Sequence, residues 1–207
     1  SAIVLEAFRY VGEALGSGLT EHDVAEYIRR RYVEEGMVVT DGPVVAVNEH
    51  ASDPHFAPTP EVAAIIKPGD WVLIDLWSRL AGEDAMFADI TWTAYVGGQA
   101  PEPHQRVFDT VIGARDAALA ELERASREGQ LLQGWQLDQV ARDFIARAGY
   151  GDHFNHRLGH SLGRSVHGDA VNLDSWETKD TRRLLPGIAV TIEPGIYMPA
   201  FGVRSEI

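Results

Sequence analysis

Asp75 in LIDLW, Asp89 in FADIT, Glu193 in VTIEPG and Glu206 in VRSEI each interrupt an apolar, β-rich run. A carboxylate in such a run is costly to bury unless a cation or strong hydrogen-bond donors compensate it. Taken singly, each is better read as facing solvent or pairing with an arginine. The stretch RLGHSLGRSVHGDA, residues 157–170, adds His160 and His167, seven residues apart among three glycines. Four carboxylates sum to −4, and two divalent cations would neutralise a site that otherwise repels itself. Oxygen-rich ligation with an imidazole suits Mn²⁺, Co²⁺, Fe²⁺ or Zn²⁺, and the nitrogen ligand disfavours Mg²⁺. With no cysteine in the chain, thiolate ligation and disulfides are excluded.

The elements that must position these residues follow from periodicity. Residues 2–15 have helical spacing, and TEHD (20–23) forms a capping box ahead of a second helix that Gly36 closes. PVVAVN (43–48) reads as a strand, and KPGD (67–70) is turn chemistry leading into WVLIDLW. MFADITWTAYVG (86–97) alternates well enough to pair antiparallel with that run, with SRLAGEDAMF as an enlarged hairpin loop between them. Pro101–Gln130 and 137–151 read as helices, and PGIAVTIEPGIYMP (186–199) as two strands around a bend at Pro194 and Gly195. The sum is one mixed α+β domain over residues 1–207, with a curved, mainly antiparallel sheet and helices on its outer face.

Composition narrows the function classes. A net charge of −13 with 45% hydrophobic residues describes a folded acidic chain without a broad basic face, so nucleic acid is excluded as a partner. No apolar run approaches a membrane span and no signal peptide opens the chain, so no membrane partner and a cytoplasmic location are expected. The first residues enter a helix without an initiator methionine, and the last follow an apparent strand, which reads as part of a longer chain.

The order and wording of LIDLW, FADITWT, GHSLGRSVHGDA, TIEPGIYMP and GVRSEI resemble the pita-bread metallopeptidases, the superfamily of methionine aminopeptidase, aminopeptidase P, prolidase and creatinase. The resemblance covers nearly the whole chain. It implies a pita-bread fold and a dinuclear metal site with Asp75, Asp89, His160, Glu193 and Glu206 as ligands, Mn²⁺ being the favoured ion. It further implies that His167, and His55 in NEHASDPHFAPT, contact substrate, with His50 as a nearby competitor for the latter role. Arg204 corresponds to an arginine that binds a carboxylate or steadies the glutamates. Gly159 and Gly163 are expected to let backbone approach the metals and the bound peptide. His22 and His104 read as exposed helix positions, and His153 and His156 match no role.

The implied chemistry is hydrolysis of a peptide bond by a hydroxide shared between two metals. Glu193 would carry the water's proton to the leaving amine. His167 and His55 would donate hydrogen bonds to the carbonyl oxygen or the tetrahedral intermediate. EPGIY, the Phe201–Gly202 pair and Arg204 resemble the proline-directed branch, so the expected substrate is a short peptide or dipeptide with an N-terminal Xaa-Pro bond. Relatives of that branch carry a separate N-terminal domain that helps them oligomerise, which keeps a homodimer open. Methionine aminopeptidase-like, creatinase-like and non-catalytic scaffold functions are the alternatives. Trp92 stands where an arginine is common and Ser161 where a glycine is, departures that put substrate choice in doubt.

Overall fold

A computed structural model describes residues 1–207. The chain opens with α1 (Ala2–Glu13) and α2 (Glu21–Glu34), followed by β1 (Met37–Val38) and β2 (Val44–Val47). Next come β3 (Trp71–Leu80), β4 (Ala88–Tyr95), α3 (Glu102–Arg127) and α4 (Gly134–Arg147). Four short strands complete it: β5 (Ser161–Leu162), β6 (Ala189–Val190), β7 (Gly195–Met198) and β8 (Phe201–Arg204).

The TEHD box does cap α2. Thr20 Oγ1 accepts from the Asp23 N–H at 3.1 Å and Asp23 Oδ2 accepts from the Thr20 N–H at 2.9 Å. The helix ends ahead of Gly36, whose φ of 64° is the left-handed conformation that glycine adopts without steric cost.

Every strand pairing is antiparallel. β3 is central, flanked by β4 on one side and by β1 and β2 on the other, while β5 pairs with β6 and β7 with β8. The apolar face of β2 and β3 packs under α1 and α2 through Val45, Val72 and Ile74 against Val4, Val24 and Ile28. A second core joins α3 and α4 to the C-terminal strands, where Val111, Leu137 and Ile145 meet Ile192, Ile196 and Val203. Each helix pair thus buries one stripe on its own stretch of sheet, and the opposite sheet face is left free to carry polar groups.

Several expectations need correction. The hairpin between the two aspartates is tighter than SRLAGEDAMF suggested, because β3 continues to Leu80, where Met37 and Val38 of β1 supply its partners. Glu193 and Glu206 lie just outside strands, in extended backbone held by hydrogen bonds from Glu193 N to Leu158 O (2.8 Å) and from Glu206 N to Thr91 O (3.0 Å). His104 is half-buried and stacks on Phe201 with ring centroids 3.9 Å apart; burial lowers its pKa. His22 is also half-buried, with Nε2 3.9 Å from Glu26. No helix is long and apolar enough to cross a membrane.

Candidate metal centre

Strand register brings the two aspartates together. Asp75 on β3 pairs with Thr91 on β4, and Trp77 pairs with Asp89. Side chains directly across a pair share a face, as do residues two apart on one strand. Asp75, Asp89 and Thr91 therefore project from one side of the sheet, diagonal neighbours despite being fourteen residues apart (89 − 75).

The imidazole arrives from the C-terminal half. His160 precedes β5 and is fastened to Thr191, whose Oγ1 accepts from the His160 N–H at 3.0 Å and whose own N–H donates to His160 O at 2.9 Å. Gly159 is required for this approach, since a Cβ there would lie 2.1 Å from Thr191 O. Gly159 thus makes room for the Thr191 backbone, and a Cβ on Gly163 would meet only Ser165 O, at 4.0 Å. The His160 Nδ1–H points at Ser161 O, 3.2 Å away, which leaves the Nε2 lone pair for a ligand. Nε2 lies 3.4 Å from Glu193 Oε1 and 3.7 Å from Asp89 Oδ2.

Ligand atoms of Asp89, His160 and Glu206 fall within 4.8 Å of one another. Asp75 Oδ1, Asp89 Oδ1 and Glu206 Oε1 are buried without a hydrogen-bond partner. Orphaned carboxylate oxygens are costly in a protein interior, and here they converge beside an imidazole with a free nitrogen. That donor set fits divalent cations. The same crowding perturbs the acids: burial, then Asp75 and Glu193, raise Asp89 to about 8. Burial also raises Glu193 to about 7, with Arg204 opposing and Asp75 reinforcing. Glu206 is driven well above the usual carboxylate range by burial and by Glu193 and Asp89. Burial pushes His160 down to about 4, favouring the neutral imidazole that a metal needs.

Arg204 is buried among these acids and its three donor nitrogens are all occupied. Nη2 donates to Asp75, Nε to Thr91 Oγ1 at 3.0 Å and Nη1 to Tyr197 Oη at 3.2 Å. Thr91 in turn donates to Glu206 Oε2 at 2.9 Å. Tyr197 donates onward to His156 Nε2 at 2.7 Å, because the His156 Nδ1–H is directed at Arg157 O, also at 2.7 Å. Thr91, Thr191, Tyr197 and His156 were missed as site residues in the sequence. Strand alternation from Asp89 could have located Thr91, two residues on; nothing in the sequence ties Tyr197 to His156.

The five predicted ligands line one cavity of about 640 Å³, and His55, His167 and Arg204 line it with them. His167 and His55 are exposed at its rim, with the His167 ring edge-on to His160 at a centroid distance of 4.4 Å. His50 is turned away, its Nδ1 2.9 Å from the buried Glu21 carboxylate and its ring stacked on Phe56. Trp92 occupies the opposite face of β4, across from Ile74 and outside the cavity lining.

Residues 1–207 match metallopeptidase family M24. The chain belongs to that family. It is 34% identical over 203 residues to an Xaa-Pro dipeptidase of Lactobacillus helveticus, covering 97% of this chain and 50% of the relative. A putative dipeptidase of Bacillus subtilis is 36% identical over 195 residues, 93% of this chain and 49% of the relative. The M24 chain thus spans about half the length of the curated relatives it matches. Among solved structures, the prolidase of Pyrococcus horikoshii superposes with a TM-score of 0.80 at 29% identity, covering 99% of this chain and 55% of the other. The X-Pro aminopeptidase of Thermotoga maritima gives 0.79 at 29% identity, covering 99% and 54%. The α+β architecture is the pita-bread fold of these M24 peptidases.

Proposed function

We propose that this M24 domain hydrolyses an N-terminal Xaa-Pro bond in dipeptides or short peptides, with two divalent cations, Mn²⁺ favoured, held by Asp75, Asp89, His160, Glu193 and Glu206. The observation that carries the reading is the convergence of Asp89, His160 and Glu206 within 4.8 Å, beside carboxylate oxygens that have no other partner. The likeness to Xaa-Pro dipeptidases and prolidases supports the substrate class.

Bound divalent cations supply a water of lowered pKa and Lewis acidity toward the peptide carbonyl. The chain's own residues do the rest. Glu193, a carboxylate at the cluster, is placed to accept a proton from the attacking water and return it to the leaving prolyl nitrogen. Its Oε1 is steadied by the Thr191 hydroxyl at 3.1 Å. His167 and His55, on the rim, donate to the carbonyl oxygen as charge develops there. Partial burial of its ring and the nearby Arg157 lower the pKa of His167, which favours the neutral imidazole with one N–H donor. Arg204 holds Asp75 and, through Thr91, Glu206 in place.

The test is mass-spectrometric analysis of the Mn²⁺-supplied protein acting on a mixture of Ala-Pro, Ala-Pro-Ala, Met-Ala-Ser and creatine. Cleavage at Xaa-Pro alone is expected. Cleavage of Met-Ala-Ser moves the chain to methionine aminopeptidase chemistry, and creatine hydrolysis to creatinase chemistry. Absence of both metal binding and cleavage leaves a scaffold. Asp89→Ala and Glu193→Ala should each lower kcat by about three orders of magnitude or more and reduce bound metal.

A further inference from the structure

Six carboxylates line the cavity: Asp41, Asp75, Asp89, Glu177, Glu193 and Glu206. Four of them belong to the proposed ligand set, and Glu177 faces Arg157, with Oε2 3.6 Å from Nη1. Asp41 is exposed and pairs with no cation. Thr40 Oγ1 donates to its Oδ1 at 2.8 Å and Trp77 Nε1 donates to the same oxygen at 3.0 Å, which leaves Oδ2 without a donor. Arg29 lines the same wall, but its Nε donates to Gly42 O at 3.0 Å and its Nη1 to Glu26 at 2.5 Å, so its charge is already matched.

Trp77 joins that free carboxylate to the ligand cluster. It stands on β3 two residues after Asp75 and pairs across the ladder with Asp89, so its side chain rises from the same sheet face as both aspartates. Its N–H is spent on Asp41, and the edge carrying Cζ2 and Cη2 packs on Gly42, where a Cβ would lie 2.7 Å from both atoms. One edge of the indole is therefore fixed against residues 41 and 42, and the rest of the half-buried ring lines the cavity. The wall so formed begins beside the metal ligands and ends at an unpaired anion. An indole attracts a cation laid against its face, and an alkyl stem covers apolar surface while its charged head stays in water.

We propose that Trp77 and Asp41 form a specificity pocket for a basic residue ahead of the proline, with the stem of a lysine or arginine side chain along the indole and its head group at Asp41 Oδ2. This rests on the Xaa-Pro reading and names the first residue of its substrate. The prolyl ring is uncharged and the terminal carboxylate is repelled by Asp41, so the residue before proline is the one whose side chain supplies the cation. With its carbonyl at the ligand cluster, that residue lies beside Asp75 and Asp89, where the indole wall starts.

The experiment compares kcat/KM for Arg-Pro and for Ala-Pro in the Mn²⁺-supplied protein. Arg-Pro is expected to be favoured about fivefold or more, mainly through KM. Asp41→Asn, at an exposed position, should bring the ratio close to one, and Asp41→Lys should turn the preference toward Glu-Pro. Trp77→Leu should lower the ratio to an intermediate value. A ratio near one in the unaltered protein overturns the assignment. So does a ratio unchanged in Asp41→Asn because both substrates lose equally, which marks a contact to the α-ammonium that every substrate carries. If Trp77→Leu fails to fold, the two Asp41 variants decide. If the unaltered protein cleaves neither dipeptide, the Xaa-Pro reading itself falls and this inference with it.

Discussion

Tyr197 connects charges that would otherwise be separate. Its hydroxyl accepts from Arg204 and donates to His156, so one oxygen fixes both the guanidinium over Asp75 and the imidazole at the cavity wall. Tyr197→Phe leaves Arg204 Nη1 and His156 Nε2 without a partner while their other bonds remain, which costs roughly 1–3 kcal/mol. The expected outcome is a lowered melting temperature and about tenfold lower kcat with metal content retained, read by calorimetry, kinetics and metal analysis. His156 also titrates in an informative direction. Burial, reinforced by Arg204, pushes it down to about 3, whereas an unfolded histidine sits near about 6.5. The unfolded chain therefore takes up this proton first. The stability that neutral His156 contributes is present above about 6.5 and lost as pH falls toward 3, at up to about 1.4 kcal/mol per pH unit. Denaturant unfolding at a series of pH values should show a shallower acid loss in His156→Gln than in the unaltered protein.

Close backbone approach decides which elements can meet. A Cβ on Gly202 would lie 1.7 Å from Ala51 O, so β8 packs directly against the 3-10 turn Asn48–Ser52 that leads to His55. Gly202→Ala must displace backbone and not merely a flexible side chain, which predicts destabilisation of about 3 kcal/mol or more. Thermal denaturation should show it, together with weakened substrate binding from the displaced His55 segment. Gly159→Ala pushes His160 away from Thr191 instead. Its expected signature is lost metal affinity with the helix content seen by circular dichroism unchanged. Between β3 and β4 the register alone places Asp75 and Asp89 side by side, and a one-residue slip would send either to the helix-covered face.

Across the whole molecule, two half-domains deliver opposite parts of one charge cluster. Asp75 and Asp89 come from the sheet under α1 and α2, whereas His160, Glu193 and Glu206 come from segments packed under α3 and α4. Metal would therefore cross-link the halves. Without it, Asp89 at about 8 and Glu193 at about 7 lie above their unfolded values near about 4. Raised carboxyl groups stabilise the fold while protonated, so that contribution is present below about pH 4 and disappears as pH rises through about 7 to 8. A chelated sample should lose melting temperature between pH 6 and pH 8.5. Added Mn²⁺ should reverse the loss, and its affinity should be higher at pH 8 than at pH 6, because binding must displace those protons.

Much of this was legible in the residues themselves. Helical periodicity, the Thr20–Asp23 capping box and alternation around Asp75 and Asp89 are local patterns, and local physics imposes them whatever the rest of the chain does. Carboxylates in apolar runs are similarly self-announcing, since their burial needs a compensating charge. The ends of strands were less legible: β3 extends to Leu80 because β1 lies beside it, and Glu193 and Glu206 leave their strands to be held by Leu158 and Thr91. The separation of His55 from His50 likewise required the fold, because it turns on which of them reaches the buried Glu21. So did the Arg204–Tyr197–His156 chain, whose meaning depends on partners up to 129 residues away, as in the bond from Arg204 to Asp75. Sequence by itself determined the element types and the chemistry of the donor set; tertiary structure decided which donors are spent on one another and which remain free for a ligand, because hydrogen bonds saturate and only three-dimensional packing determines which groups meet.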